Sequence, residues 1–199
     1  MSNEQLDREL LSLALGQARA SLAVGGVPVG AVLAAGGDVL GAGHNERVQH
    51  GDPVAHGEIS ALRDAGRRPS YAGTTLYTTL SPCQLCTGAV LLFQIPRVVV
   101  GEARTFEGDL GFLRSRGVDV VLLDDPGCVA AMEEFQTRYP EVWSEDIGGR
   151  LRGFRSPRFE VGAGASVARV VVMRSLPVPA AKLARCEQRS FRRGKQAVP

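Results

Sequence analysis

The sequence predicts an α/β protein, a three-layer α/β/α sandwich around a mixed five-stranded sheet. Three observations carry that prediction. Strand-like apolar runs alternate with helical stretches through residues 1–148. The first two strands are joined by the tight turn Gly36-Gly37-Asp38, which makes them an antiparallel hairpin. The later strands are separated by helix-length segments, and two successive right-handed strand–helix–strand crossovers place helices on both faces of one sheet.

The elements follow in order. Residues 4–23 carry Leu6, Leu10, Leu13 and Ala14 at helical spacing; Ser2 or Asn3 can cap this helix and Gly25-Gly26 ends it. Val27 to Ala35 is near-continuously apolar, as a strand covered on both faces should be, and Asp38 to Gly43 is its return strand. A polar loop follows from His44 to Pro53, then a helix over 54–65 stopped by Gly66. Thr74 to Leu80 is a β-branched and aromatic strand, residues 82–94 a helix, and Arg97 to Gly101 a buried strand through Val98-Val99-Val100. A short helix at Glu107 to Arg116, a fifth strand at Asp119 to Leu123 and a helix at Gly127 to Tyr139, stopped by Pro140, complete the series.

At 199 residues and 44% hydrophobic content the chain can bury a proper core. Charge divides it in two. Residues 1–148 hold 11 Lys+Arg against 19 Asp+Glu, a net −8, whereas residues 149–199 hold 12 against 2, a net +10. The acidic body is a poor electrostatic footprint for nucleic acid, and the basic segment leaves that question open. The two units expected are therefore a domain at 1–148 and a basic, disordered extension at 149–199, in which only Ser166 to Met173 reads as a strand. The extension is either dispensable, a binder of anionic partners or of the acidic body, or an out-of-frame gene end. Four cysteines without a disulfide framework suit a reducing cytoplasm. The polar N-terminus does not read as a signal peptide, and no apolar run approaches the roughly 18 residues of a membrane span.

The chemistry concentrates between His56 and Cys86, which read His56-Gly57-Glu58 at one end and Pro82-Cys83-Gln84-Leu85-Cys86 at the other. Cys83 and Cys86, three apart at a helix start, can aim both sulfurs at one point, and Pro82 suits the first turn of that helix. A helix N-terminus favours their thiolates. His56 supplies a third ligand from a second helix, which leaves the open fourth position of a catalytic zinc site. Glu58, two residues on, can lie beside the metal at the first turn without binding it, where a proton carrier belongs. Two thiolates already neutralise the dication, so water there is acidified less than by three histidines, and a nearby carboxylate base becomes necessary. The alternative is a closed structural knot. It needs a fourth ligand from Cys128, Cys186, His44 or His50, none of which forms a second paired motif.

This His-x-Glu and Pro-Cys-x-x-Cys pattern resembles the cytidine/cytosine deaminase superfamily. Further stretches make the chain similar to fungal-type zinc-dependent cytosine deaminases: Gly25 to Gly30, Gly43-His44-Asn45, Gly57-Glu58-Ile59-Ser60, Thr74 to Cys83, Ile95-Pro96-Arg97, and Trp143 with Glu145-Asp146-Ile147-Gly148. The resemblance covers about three quarters of the chain. It implies hydrolysis of free cytosine to uracil and ammonia in pyrimidine salvage, one Zn2+ per subunit, and a cytoplasmic homodimer with no membrane partner. It implies His56, Cys83 and Cys86 as metal ligands and Glu58 as the catalytic proton carrier. It further implies Asn45 and the Gly57 N–H on the O2/N3 side of the base, with Phe106 stacked on the ring opposite His56. Asp146 accepts from the amino edge, and Trp143 and Ile147 close the pocket. On pattern alone Asn45 reads equally as a turn residue, Asp146 as a solvated acid and Trp143 as core. Val29 stands where such enzymes carry a larger aliphatic. The competing readings are a deaminase of another small amino-heterocycle such as guanine, a tRNA adenosine deaminase, and a non-catalytic zinc interaction module.

Overall fold

A computed structural model describes residues 2–147. The expected extension at 149–199, its strand at Ser166 to Met173 and the boundary after residue 148 lie outside the described residues. Five strands, β1 (Gly30–Ala35), β2 (Asp38–His44), β3 (Thr75–Leu80), β4 (Arg97–Glu102) and β5 (Asp119–Leu122), form one sheet in the order β2-β1-β3-β4-β5. β1 runs antiparallel to both β2 and β3, while β3, β4 and β5 are parallel. This is the mixed sheet the hairpin and crossovers predict.

Alternation along the strands builds the two cores. Ala31 and Leu33 of β1, Leu76 of β3, and Val98 and Val100 of β4 face one side. They pack there against α3 (Gly57–Ala65) through Ala61 and Leu62, α4 (Gln84–Leu92) through Val90, and α5 (Leu110–Ser115) through Leu113. Val32, Ala34, Tyr77 and Val99 face the other side, against Leu10, Leu11, Ala14 and Ala18 of α1 (Asn3–Ala23) and Cys128 and Ala131 of α6 (Pro126–Arg138). The period of two along strands and of 3.6 along helices therefore meets on both faces. A third cluster, Val27, Val29, Leu80, Met132, Phe135 and Trp143, fills the end of the sheet where β3 stops.

Several boundaries differ from expectation for identifiable reasons. β1 starts at Gly30, not Val27, because Pro28 has no N–H to give a ladder. The loop after β2 contains a short helix, α2 (Arg47–His50), closed by Gly51 in the left-handed region at φ 62°. Pro140 does more than stop α6. It occupies the first turn of a further helix, α7 (Pro140–Asp146), where its missing N–H costs nothing. α3 and α4 each begin later than predicted. His56 and Cys83 are extended N-cap residues, φ −73° and −72°, and lie outside their helices. Pro82 therefore precedes the cap of α4 and is not part of its first turn.

Candidate active site and metal centre

Two helix starts meet at one point. His56 caps α3 and Cys83 caps α4, and Cys86 lies one turn into α4. The extended cap conformation turns both side chains across the helix ends instead of along them, which brings three donor atoms within 4.8 Å of one another. His56 Nδ1 lies 3.4 Å from Cys83 Sγ and 3.6 Å from Cys86 Sγ. A tetrahedral zinc ion with bonds of about 2.3 Å to sulfur and about 2.05 Å to nitrogen separates such ligands by about 3.6 Å. The donor set fits zinc in both chemistry and spacing. Among the described residues the group has no fourth His, Cys or carboxylate member; Cys128 is buried in the core on the far face of the sheet, which removes it as the closing ligand of a structural knot.

The two sulfurs differ. A hydrogen bond from Cys86, assisted by His56, lowers the Cys83 thiol, while the same contact and burial push Cys86 up. A cation would favour the thiolate at both positions.

Glu58 sits on the first turn of α3 and is only 2% exposed, so its carboxyl opens onto the site and not onto solvent. Burial, then the neighbouring Cys83 charge, raises its pKa. A carboxyl so placed accepts and returns a proton near neutral pH more readily than an exposed one.

A cavity of about 410 Å3 opens over these groups. Asn45, His56, Glu58, Cys83, Phe106, Trp143, Asp146 and Ile147 all line it. Gly57 and Cys86 do not form its wall. Gly57 is pressed against β1's entry, where a Cβ would stand 2.6 Å from the Val29 carbonyl oxygen. Its N–H opens α3 and has no acceptor within the helix. The turn reading of Asn45 and the core reading of Trp143 are both half right. Asn45 is buried, its N–H bonded to Val29 and its carbonyl to Ser21, yet it faces the cavity. Trp143 packs in the third cluster and meets Phe106 edge to face at 6.1 Å over the cavity. Asp146 is not a solvated acid: its side chain is 8% exposed and pairs with Arg47.

Sequence reasoning missed Leu80, Ser81, Gln84, Leu85, Gly108 and Asp109, which complete the wall, and Arg47, which stands behind it. Gly108 carried a readable signal, since a loop glycine can mark a positive φ or a close approach. Its φ is 61°, and a Cβ there would strike Ser81 Oγ at 2.2 Å. Ser81 Oγ in turn donates to the Glu107 carbonyl at 2.7 Å, so the loop bearing Phe106 is fastened to the loop bearing Cys83.

Comparison with known proteins agrees with this geometry. Residues 4–102 match the cytidine and deoxycytidylate deaminase zinc-binding region. A cytosine deaminase of Candida albicans is 48% identical over 145 residues, 71% of this chain and 97% of that protein. The chain belongs to this deaminase family. Zinc is accordingly the metal of the His56, Cys83 and Cys86 set. Solved relatives share the fold. A structure from work on A-to-I editing by tRNA:A34 deaminases aligns at TM-score 0.53 and 29% identity, over 62% of this chain and 99% of its own. A guanine deaminase from Nitrosomonas europaea aligns at TM-score 0.55 and 25% identity, over 64% and 83%. Among the described residues no helix is long and apolar enough to cross a membrane.

Proposed function

We propose that this deaminase converts free cytosine and water to uracil and ammonia, as the name of its Candida albicans relative suggests. The observation that carries the reading is the shared cavity. Its wall carries the buried Glu58 together with His56 and Cys83, two of the three zinc ligands, and also Asn45 and Asp146, whose polar groups suit the edge of a planar base. Zinc bound there supplies a Lewis acid that makes water a nucleophile near neutral pH. Glu58 takes one proton from the attacking water and delivers it to ring N3; it then takes the second from the new hydroxyl at C4 and gives it to the departing amine, so that uracil and ammonia leave. Asn45 Oδ1 already accepts the Arg47 N–H at 3.1 Å, so its –NH2 is the part suited to a pyrimidine carbonyl oxygen, assisted by the Gly57 N–H. Asp146 accepts from the amino edge. Phe106 and His56 sandwich the ring, and Trp143 and the exposed Ile147 close over it.

The test is ammonia release by the zinc-loaded protein from cytosine, cytidine, guanine, adenine and an adenosine-bearing tRNA stem-loop. Turnover of cytosine alone supports the reading; silence on cytosine with turnover of guanine or tRNA overturns it. We further propose a cytoplasmic homodimer acting in pyrimidine salvage. Exposed Leu85, Leu92, Phe93 and Phe112 along α4 and α5 suit burial against a second copy, which sedimentation can measure. The segment 149–199 is proposed to be dispensable for turnover.

A further inference from the structure

One residue outside the cavity wall touches two groups in it. Arg47, at the start of α2, donates its main-chain N–H to Asn45 Oδ1 at 3.1 Å. Its guanidinium pairs through Nη1 with Asp146, 99 residues away, and its Nη2 stands 3.6 Å from Glu145 Oε1. The side chain is 14% exposed, and its partner carboxylate is 8% exposed. The pair is part-buried and largely shielded from water, unlike the surface pairs whose loss is barely measurable. Arg47 does not line the substrate cavity. It borders a separate hollow of about 250 Å3, together with Val142 and Glu145 of α7. Any effect on substrate must therefore pass through Asn45, Asp146 and α7.

The consequences of this placement are specific. The main-chain contact fixes which end of the Asn45 amide faces the cavity, because a carbonyl oxygen committed to an N–H turns the –NH2 the other way. The side-chain contact fixes where the Asp146 carboxylate points and holds the end of α7, the helix that also carries Trp143. The two groups are 101 residues apart in the sequence, and no other described residue bonds to both side chains. Removing the guanidinium leaves a buried carboxylate without its counter-charge. It must then turn away, take up a proton or draw in water, and each response spoils an acceptor aimed at an amine.

We propose that Arg47 is a positioning residue that sets the two base-reading groups, Asn45 and Asp146, at a fixed separation across the ring and so determines affinity for the free base. This rests on the cytosine reading above. Because both contacts exist before and during reaction, the effect falls on binding more than on turnover.

The test uses the full zinc-loaded chain and the variants Arg47→Met and Arg47→Lys. Kinetics on cytosine separate KM from kcat. Binding is read independently in a Glu58→Gln background, where Trp143, the sole tryptophan, reports cytosine entering the cavity by fluorescence. Arg47→Met is expected to raise both KM and the fluorescence Kd by about tenfold or more, with kcat changed less than about threefold, and Arg47→Lys to recover part of the loss. Asp146→Ala added to Arg47→Met should cost little beyond either alone. Unchanged KM and Kd in Arg47→Met, or fully additive losses with Asp146→Ala, overturn the proposal. Should Arg47→Met fail to fold, Arg47→Lys decides: a raised KM at wild-type zinc content supports it and an unchanged KM overturns it. A wild type inactive on cytosine overturns the parent reading, whereas an active wild type with indifferent Arg47 variants overturns this inference alone.

Discussion

Cys83 Sγ lies 3.4 Å from His56 Nδ1, although the two residues are 27 apart and cap different helices. With Cys86 Sγ 3.6 Å from the same nitrogen, the donors gather at one point where zinc can bridge two helices, and its binding energy becomes folding energy. Chelation is therefore expected to abolish turnover and lower the melting temperature by on the order of 10 °C, taking about 4 kcal/mol for an ion at a thousandfold excess over its Kd. Cys83→Ser should reproduce both effects and leave less than one zinc per chain by elemental analysis.

The proposed division of labour, metal binding by His56, Cys83 and Cys86 and proton transfer by Glu58, can be separated by experiment. Glu58→Gln keeps volume and removes the base, so zinc content should stay near one per chain while kcat falls by about 10^2 to 10^4. Ammonia release alongside zinc content measures this, and near-normal turnover in a zinc-loaded variant would sink the assignment.

Asn45 tests the direction of a hydrogen bond. With Oδ1 occupied by the Arg47 N–H, Asn45→Asp exchanges the remaining donor for an acceptor facing the substrate's own carbonyl oxygen. The expected loss is about 1–3 kcal/mol in kcat/KM, or roughly five- to 150-fold. A milder effect than Asn45→Ala would show that the amide is turned the other way.

The pair between Asp7 on α1 and Arg97 on β4, at 2.7 Å, gives a pH signature unrelated to the site. The Arg97 guanidinium, with the Tyr77 hydroxyl, holds the Asp7 carboxyl below the usual carboxylate range, despite burial. A depressed folded-state pKa stabilises the fold above the unfolded value of about 3.9, and that contribution fades as pH falls through the folded-state value. Asp7→Asn should therefore cost about 3 kcal/mol at pH 7, the low end for a broken buried pair because Arg97 is partly exposed. The gap from wild type should narrow below pH 4. Paired denaturant titrations at pH 7 and pH 3 check the sign.

Deletion of residues 149–199 is expected to leave kcat/KM on cytosine and the sedimenting mass per assembly, corrected for length, unchanged. A collapse of either would give that basic segment a part in the enzyme.

Part of the metal set was legible in the sequence because it is local: Cys83 and Cys86, a cap and a residue one turn on, can aim at one point, whereas His56, 27 residues earlier, meets them only because the fold brings two helix starts together. The sheet was legible for a similar reason. Val98-Val99-Val100 divides between the two cores, with Val98 and Val100 facing one and Val99 the other, so the three-valine run could only be an interior strand. Trp143 and Asp146 were another matter. Past Pro140 the chain reads as charged and irregular, and only a likeness to other deaminases gave those residues a role. Their burial comes from α7 folding back onto the third core cluster, which no local pattern specifies. Arg47 carried no sequence signal at all, because its meaning depends on a carboxylate 99 residues away.

By itself, then, the sequence determined the strand and helix order, the mixed sheet and the zinc chemistry, each set by periodicity or by ligand spacing within a turn. Only the tertiary structure decided what surrounds the cavity: that Asn45 Oδ1 is taken by the Arg47 N–H, that Asp146 pairs with Arg47, and that Phe106 and Trp143 meet edge to face. Those relationships join segments far apart in the sequence, and such contacts are fixed by packing, where the charge and orientation of each group depend on what the fold has placed beside it.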